Sequence, residues 1–362
     1  MIPTTARRVT LALAAILALS SCSAEPETGS APSDPVASES APEQQTDELT
    51  TVAEELAAPW SIAFHQDTAL VSERDTGRIV ELDDDGAARE IIVIDEVAPR
   101  GEGGLLGIAV HEDYLYAYYT TDADNRITRY PIDGEPGALS LGEAETILDG
   151  IPAAGYHNGG RIAFGPDGML YATAGDAGTT SNAQDLDSLS GKILRMTPEG
   201  TVPEDNPFDR SLVYSYGHRN PQGIDWDEEG TMYASEFGQD TWDELNVIEP
   251  GGNYGWPEVE GIAEDSDYTD PLQQWEPAVA SPSGIAVTEE SIFIANLRGS
   301  RLIEVPLDDL GSSSEHLVDE HGRLRDVTIA PDESLWVLTN NTDGRGDPGE
   351  GDDRILRIDP AS

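Results

Sequence analysis

One short apolar strand recurs six times along this chain, and that repeat limits the fold more than any other feature. It reads Trp60-Ser61-Ile62-Ala63-Phe64, Leu106-Gly107-Ile108-Ala109-Val110, Arg161-Ile162-Ala163-Phe164, Gly223-Ile224-Asp225-Trp226, Gly284-Ile285-Ala286-Val287 and Asp326-Val327-Thr328-Ile329. A turn follows each copy, clearest at Pro166-Asp167-Gly168 and Pro331-Asp332. A second strand comes next, for example Leu115-Tyr116-Ala117, Leu170-Tyr171-Ala172 or Leu335-Trp336-Val337. A third, such as Arg78-Ile79-Val80-Glu81-Leu82 or Arg354-Ile355-Leu356-Arg357-Ile358, alternates polar and apolar residues as a half-buried strand does. Units of about 40 to 60 residues built this way predict an all-β, six-bladed β-propeller with four-stranded antiparallel blades around a central channel. The six copies fill residues 49–362. Thr50 to Val52, ahead of the first copy, are expected to lend an outer strand to the last blade and close the ring.

The first 48 residues lie outside the repeat. Arg7 and Arg8 precede an apolar run from Val9 to Leu19, too short to span a bilayer. The run ends in Leu19-Ser20-Ser21-Cys22, which resembles the lipobox of bacterial lipoproteins. Cys22 is the only cysteine in the chain. The expectation is a signal peptide over 1–21, a lipid on Cys22, a disordered Ser/Pro/Glu-rich tether over 22–48 and an extracytoplasmic, lipid-anchored domain without disulfides. With 70 acidic residues against 20 basic and a net charge of −50, the surface repels nucleic acid and anionic lipid, leaving the lipid anchor as the only membrane contact.

Propeller topology then limits where chemistry can sit. Residues just before each first strand and just after each second strand ring one mouth of the channel. Before the first strands stand Glu102, His157, Arg219 with Asn220, Ser283, and Arg323 with Arg325. After the second strands come Asp176, Glu236 to Gln239, Arg298 and Asn340. Arg219, Arg298, Arg323 and Arg325 thus converge on one mouth of an acidic protein, as a site for a small polyanion requires. The alternative is that each pairs with a nearby carboxylate, Arg325 with Asp326 for instance. The third strand of the fourth copy also breaks a rule. Others open on Arg or Lys, whereas this one carries Glu244 in Asp243-Glu244-Leu245-Asn246. A carboxylate beside loop carbonyls suits calcium; a plain surface glutamate is the other reading.

These segments resemble the glucose/sorbosone dehydrogenase family, the soluble quinoprotein aldose dehydrogenases. The likeness is carried by Gly101-Glu102-Gly103-Gly104-Leu105-Leu106-Gly107, His157-Asn158-Gly159-Gly160-Arg161, Ser190-Gly191-Lys192-Ile193-Leu194-Arg195, Gly217-His218-Arg219-Asn220-Pro221-Gln222-Gly223, Gly251-Gly252-Asn253-Tyr254-Gly255-Trp256-Pro257 and Arg323-Leu324-Arg325-Asp326-Val327. The resemblance implies oxidation of the anomeric hydroxyl of an aldose to the lactone, with hydride passing to pyrroloquinoline quinone and then to an unidentified electron acceptor. It places His157 as general base and Arg219 as the residue that polarises the quinone. Glu102, Asn220, Arg298, Arg323 and Arg325 fall on cofactor contacts. Gly238 and Gln239 fall on carbonyls that hold a calcium gripping the quinone. Glu244, the backbone of Tyr254 and Glu260, and the side chain of Glu264 fall on a second, structural calcium.

Three positions depart from the family's soluble glucose enzyme. Tyr156 replaces an Asp directly before the base, Glu102 replaces a Gln, and Arg298 replaces a Lys. Apparent loss of some long loops points to an open mouth and a broad aldose choice. Two other function classes remain in view: a calcium-dependent propeller lactonase, and a non-catalytic propeller that binds sugar or protein.

Overall fold

The computed structural model describes residues 49–359. The expected leader, lipidated Cys22 and the tether lie outside the described residues.

Within them, six antiparallel sheets follow one another as blades. Blade 1 runs Pro59–His65, Thr68–Glu73, Arg78–Leu82 and Ala88–Val93. Blade 2 runs Leu105–His111, Tyr114–Thr120, Asn125–Asp133 and Glu145–Ile151, and exceeds the four-strand expectation by a short Ser140–Leu141 strand on its third member. Blade 3 contains Ile162–Phe164, Leu170–Ala174, Lys192–Met196 and Val213–Tyr216, with a 3₁₀ turn at Thr180–Gln184. Blade 4 contains Pro221–Trp226, Met232–Glu236, Asp243–Ile248 and Gln273–Trp275. Blade 5 contains Pro282–Val287, Ser291–Asn296, Arg301–Pro306 and Ser314–His316. Blade 6 takes Leu324–Ile329, Leu335–Thr339 and Ile355–Ile358 from the chain's end and Leu49–Ala53 from its start.

Each innermost strand packs against the next, and that of blade 6 returns to blade 1. Buried apolar residues accordingly fall into six clusters, one per blade interface. Leu70 and Ile79 of blade 1 meet Leu105 and Ile108 of blade 2, and Ile285 and Ile294 of blade 5 meet Tyr233 and Leu245 of blade 4. Ala53, Leu338 and Ile355 meet Ile62 and Val71 across the closure between blades 6 and 1. The first two strands of each blade are therefore covered on both faces, which is why they read as near-continuous apolar runs, whereas outer strands such as Ala88–Val93 and Ser314–His316 are largely exposed.

The channel is filled where strands are closest. Arg161 of blade 3 pairs with Asp326 of blade 6 at 3.0 Å, donates to Ser61 Oγ at 3.0 Å and lies over the Trp60 ring. Asp326 is thus taken by Arg161 and by the Ile62 N–H, not by Arg325. Small residues elsewhere let inner strands approach. A Cβ on Gly223 would meet the Ser283 carbonyl at 2.3 Å.

Closure rests on the first strand, where Leu49 pairs with Ile358 and Thr51 with Leu356. Deleting residues 49–53 should lower the melting temperature by several degrees and cause self-association through the freed edge of Ile355–Ile358. A deletion variant that melts normally and stays monodisperse by light scattering would contradict this closure.

Candidate active site at one mouth of the channel

His157 precedes the inner strand of blade 3, and Asp176 follows the second strand of the same blade. That placement brings His157 Nδ1 to 2.8 Å from Asp176 Oδ1. His157 has φ +57°, a left-handed backbone uncommon outside glycine. Two contacts hold it there: its N–H donates to Glu102 at 3.1 Å, and its carbonyl accepts from Ala177 at 3.1 Å. Asp176 is fully buried. Burial alone would raise its pKa, but the hydrogen bonds from His157, the Gly178 N–H and the Trp256 indole outweigh it and the pKa is lowered. Asp176 therefore supplies the orienting carboxylate that Tyr156 lacks. Tyr156, half exposed, instead lays its ring edge-on against His157, 4.7 Å between centroids.

The next loop along the ring carries Arg219 and Asn220. The Arg219 carbonyl accepts the Asp176 N–H at 2.8 Å, and Asn220 Oδ1 accepts the Gly159 N–H at 3.0 Å, so the His157 and Arg219 turns are tied together. Buried Glu236 organises the turn from below, accepting the backbone N–H groups of Arg219 and Asn220 and bonding His218 Nδ1 at 2.8 Å. His218 is wholly buried between Glu236 and Ser215 and packs on Tyr254, as a structural residue. Arg219 reaches the Phe237 carbonyl at 3.1 Å, leaves its Nε buried without a partner, and has its pKa lowered by burial.

Across the mouth, Arg325 lies in the inner strand of blade 6, which starts at Leu324, two residues before the boundary expected from the repeat. It is buried, and neutral acceptors hold it: Gln222 at 2.8 Å, Ser283 at 3.3 Å and Asn340 at 3.2 Å. Burial, then Arg323 and Arg74 nearby, lower its pKa. Arg323 pairs with buried Asp343 at 3.2 Å and also has a buried, unpartnered Nε. Most basic side chains among the described residues have a carboxylate oxygen within 4 Å; those without are Arg100, Lys192, Arg219, Arg298 and Arg325. Lys192 is satisfied by three carbonyls and Arg100 reaches one. The other three are mouth arginines, Arg298 exposed at the rim. The mouth also contains residues that the sequence reading passed over. Arg74 shares Asp343 with Arg323, and Arg345 pairs with Glu102 at 3.2 Å, which neutralises that carboxylate.

The suspected calcium residues divide. A small cavity under the Gly238 turn is lined by Glu236, Gly238, Glu244, Tyr254 and Glu260, with Arg219 beside it. Glu260 Oε1 accepts the N–H groups of Gln239, Asp240, Thr241 and Trp242 and so shapes that turn with its side chain. Gln239, whose carbonyl is expected on the separate calcium at the quinone, is exposed. Glu264, also exposed, does not line the cavity with Glu244, Tyr254 and Glu260. The break in the repeat at Glu244 has a register cause. Blade 1 sets Glu73 opposite Arg78, an ion pair of 2.7 Å, whereas blade 4 sets Glu236 opposite Glu244. Burial first, then the facing Glu236, raise the Glu244 pKa far above the carboxylate range. Among the described residues no three His, Cys, Asp or Glu side chains converge on one point, so a cation here would draw on carbonyls and water as well.

The glucose/sorbosone dehydrogenase family model matches residues 56–356. The chain belongs to the glucose/sorbosone dehydrogenase family. Within the family's reach, it is 49% identical to a solved PQQ-bound form of aldose sugar dehydrogenase from Streptomyces coelicolor, over 86% of this chain and 98% of that one, with a TM-score of 0.83. It is 28% identical to an aldose sugar dehydrogenase of Escherichia coli over 80% of this chain and 89% of the relative. Quinoprotein glucose dehydrogenase B of Acinetobacter calcoaceticus is 32% identical over 59% of this chain and 53% of its own length.

The Glu236–Glu244 opposition makes a test of sign. A carboxyl whose folded pKa is raised binds more protons folded than unfolded, so stability falls as pH climbs from the unfolded value of about 4.3 through the raised one. Without divalent cation, wild type should lose melting temperature over that range, and Glu244→Gln should lose less. Parallel pH profiles for the two proteins would remove this pair from the account.

Proposed function

We propose that the protein oxidises the anomeric hydroxyl of aldose sugars to the lactone, using PQQ at the arginine-lined mouth. The observation that carries this reading is the His157–Asp176 pair seated beside arginines that lack carboxylates. PQQ is a planar tricarboxylate, and the donors fit it. Arg219 and Arg323 each hold a buried N–H with no partner, and Arg325 is a buried cation among neutral acceptors. Arg298 adds a free cation at the rim, while Asn220 joins Arg219 to the base. Pairing with Arg345 lets Glu102 stand near such an anion.

When bound, PQQ accepts the hydride released from the anomeric carbon. His157 takes the hydroxyl proton. With Nδ1–H directed at Asp176, Nε2 keeps its lone pair for that proton, and the ionised Asp176 favours the imidazolium that forms. Arg219 places its guanidinium where negative charge grows, in a buried setting where it counts for more than in water. A lactonase site would gather carboxylates at the centre of the mouth; here that place holds Arg325, Gln222, Ser283 and Asn340.

Calcium is the second part of the proposal. Glu236 facing Glu244 supplies two buried carboxyl groups that a calcium would hold ionised, where blade 1 sets an arginine, and the Gly238–Gln239 turn beside them is the expected source of carbonyls for a calcium at the quinone. The lipobox-like Leu19-Ser20-Ser21-Cys22 supports lipid anchoring outside the cytoplasm.

His157→Gln and Arg219→Ala should fail differently. His157→Gln should lose about two to four orders of magnitude in aldose oxidation, measured with a dye acceptor, and still bind PQQ in a spectral titration. Arg219→Ala should lose both turnover and PQQ affinity. Near-normal turnover in His157→Gln would remove the base and the reading of this mouth with it.

A further inference from the structure

Trp256 belongs to the Gly251–Pro257 segment, an excursion between the third and fourth strands of blade 4. Beyond its hydrogen bond to Asp176, Trp256 touches both halves of the site. Its indole Nε1–H donates to Asp176 Oδ2 at 2.9 Å. Its ring lies 5.5 Å from the Arg219 guanidinium carbon, within cation–π range.

The Asp176 contact is specific in what it leaves for His157. Oδ1 takes His157 Nδ1 at 2.8 Å and the Gly178 N–H at 2.7 Å, so Oδ2 is free for one donor from elsewhere, and Trp256 provides it. Asp176 has no solvent exposure. Without the indole, Oδ2 would be a buried charged acceptor with nothing to bond, and the carboxylate would be free to turn toward other donors.

The backbone under the indole is fixed on two sides. The Trp256 N–H donates to the Gly217 carbonyl at 2.9 Å, two residues before Arg219. Its own carbonyl accepts Gln184 Nε2 at 2.8 Å, and Gln184 exchanges amide hydrogen bonds with Asn253. A side chain anchored this way, almost wholly buried, is suited to hold other groups in place.

We propose that Trp256 is a positioning residue for both functional groups: its N–H fixes Asp176 and thereby His157, and its ring face sets Arg219. This rests on the function proposed above, and the two can be separated by experiment. Trp256→Phe keeps a ring for Arg219 and removes the N–H, whereas Trp256→Leu removes both. In Trp256→Phe, kcat should fall about ten- to a hundredfold, the worth of a hydrogen bond to a charged acceptor, with sugar KM and PQQ affinity unchanged. Trp256→Leu should weaken PQQ binding as well. In the Asp176→Asn background, Trp256→Phe should cost little more. The same four proteins, melted without PQQ, should show non-additive losses for Trp256→Phe and Asp176→Asn. Wild-type kcat in Trp256→Phe, or an equal fold-loss with and without Asp176, would overturn the proposal. Should wild type bind no PQQ, the functional reading falls. The melting cycle then decides the Trp256–Asp176 link alone: additive losses refute it.

Discussion

Residues 49–53 pair with 355–358, and this one ladder turns a row of blades into a ring. With the ends joined, each inner strand packs against a neighbour on both sides, and six loops are brought around one mouth. His157, Arg219, Arg325 and Arg74 come from blades far apart in sequence and meet because the ring is shut. A row of blades open by one strand would hold the same side chains without aiming them at a common point.

Charge is the second constraint. In a chain of net charge −50, an arginine ordinarily finds a carboxylate, and most here do. Half-buried Arg219 and buried Arg325 instead have backbone carbonyls and neutral side chains as acceptors, so desolvation of the cation is met only in part. Blade 4 has the opposite imbalance, two facing carboxylates with no side-chain cation between them. An organic anion at the first place and a hard cation at the second would relieve both. The two imbalances adjoin, since Glu236 also holds the Arg219 turn.

The six blades, the closing strand and the mouth ring were legible because they depend on local pattern: apolar periodicity, turn residues and position relative to a strand. Glu244 stood out for the same reason, as a break in a repeated position. What it faces was harder to see, because Glu236 opposes it only once the hairpin register is known. Asp176 was visible as a mouth residue but not as the partner of His157; the available signal was that both flank the first hairpin of blade 3. Trp256, Asp343 and Arg345 sit on long excursions whose path no short-range pattern specifies. Glu264 entered only through the family resemblance, with no pattern of its own to support it, and its side chain is exposed. Repeats fix scaffold positions, while loop residues are set by contacts between blades.

The central claim is that the mouth binds PQQ and delivers an aldose to it. The most direct measurement is an anaerobic visible-absorbance titration of the unmutated protein with PQQ in the presence of calcium, followed by addition of an aldose. The account predicts saturable, stoichiometric binding and conversion of the bound quinone to its reduced spectrum when sugar is added. PQQ that fails to bind saturably, or that binds and stays oxidised with every aldose offered, would contradict it.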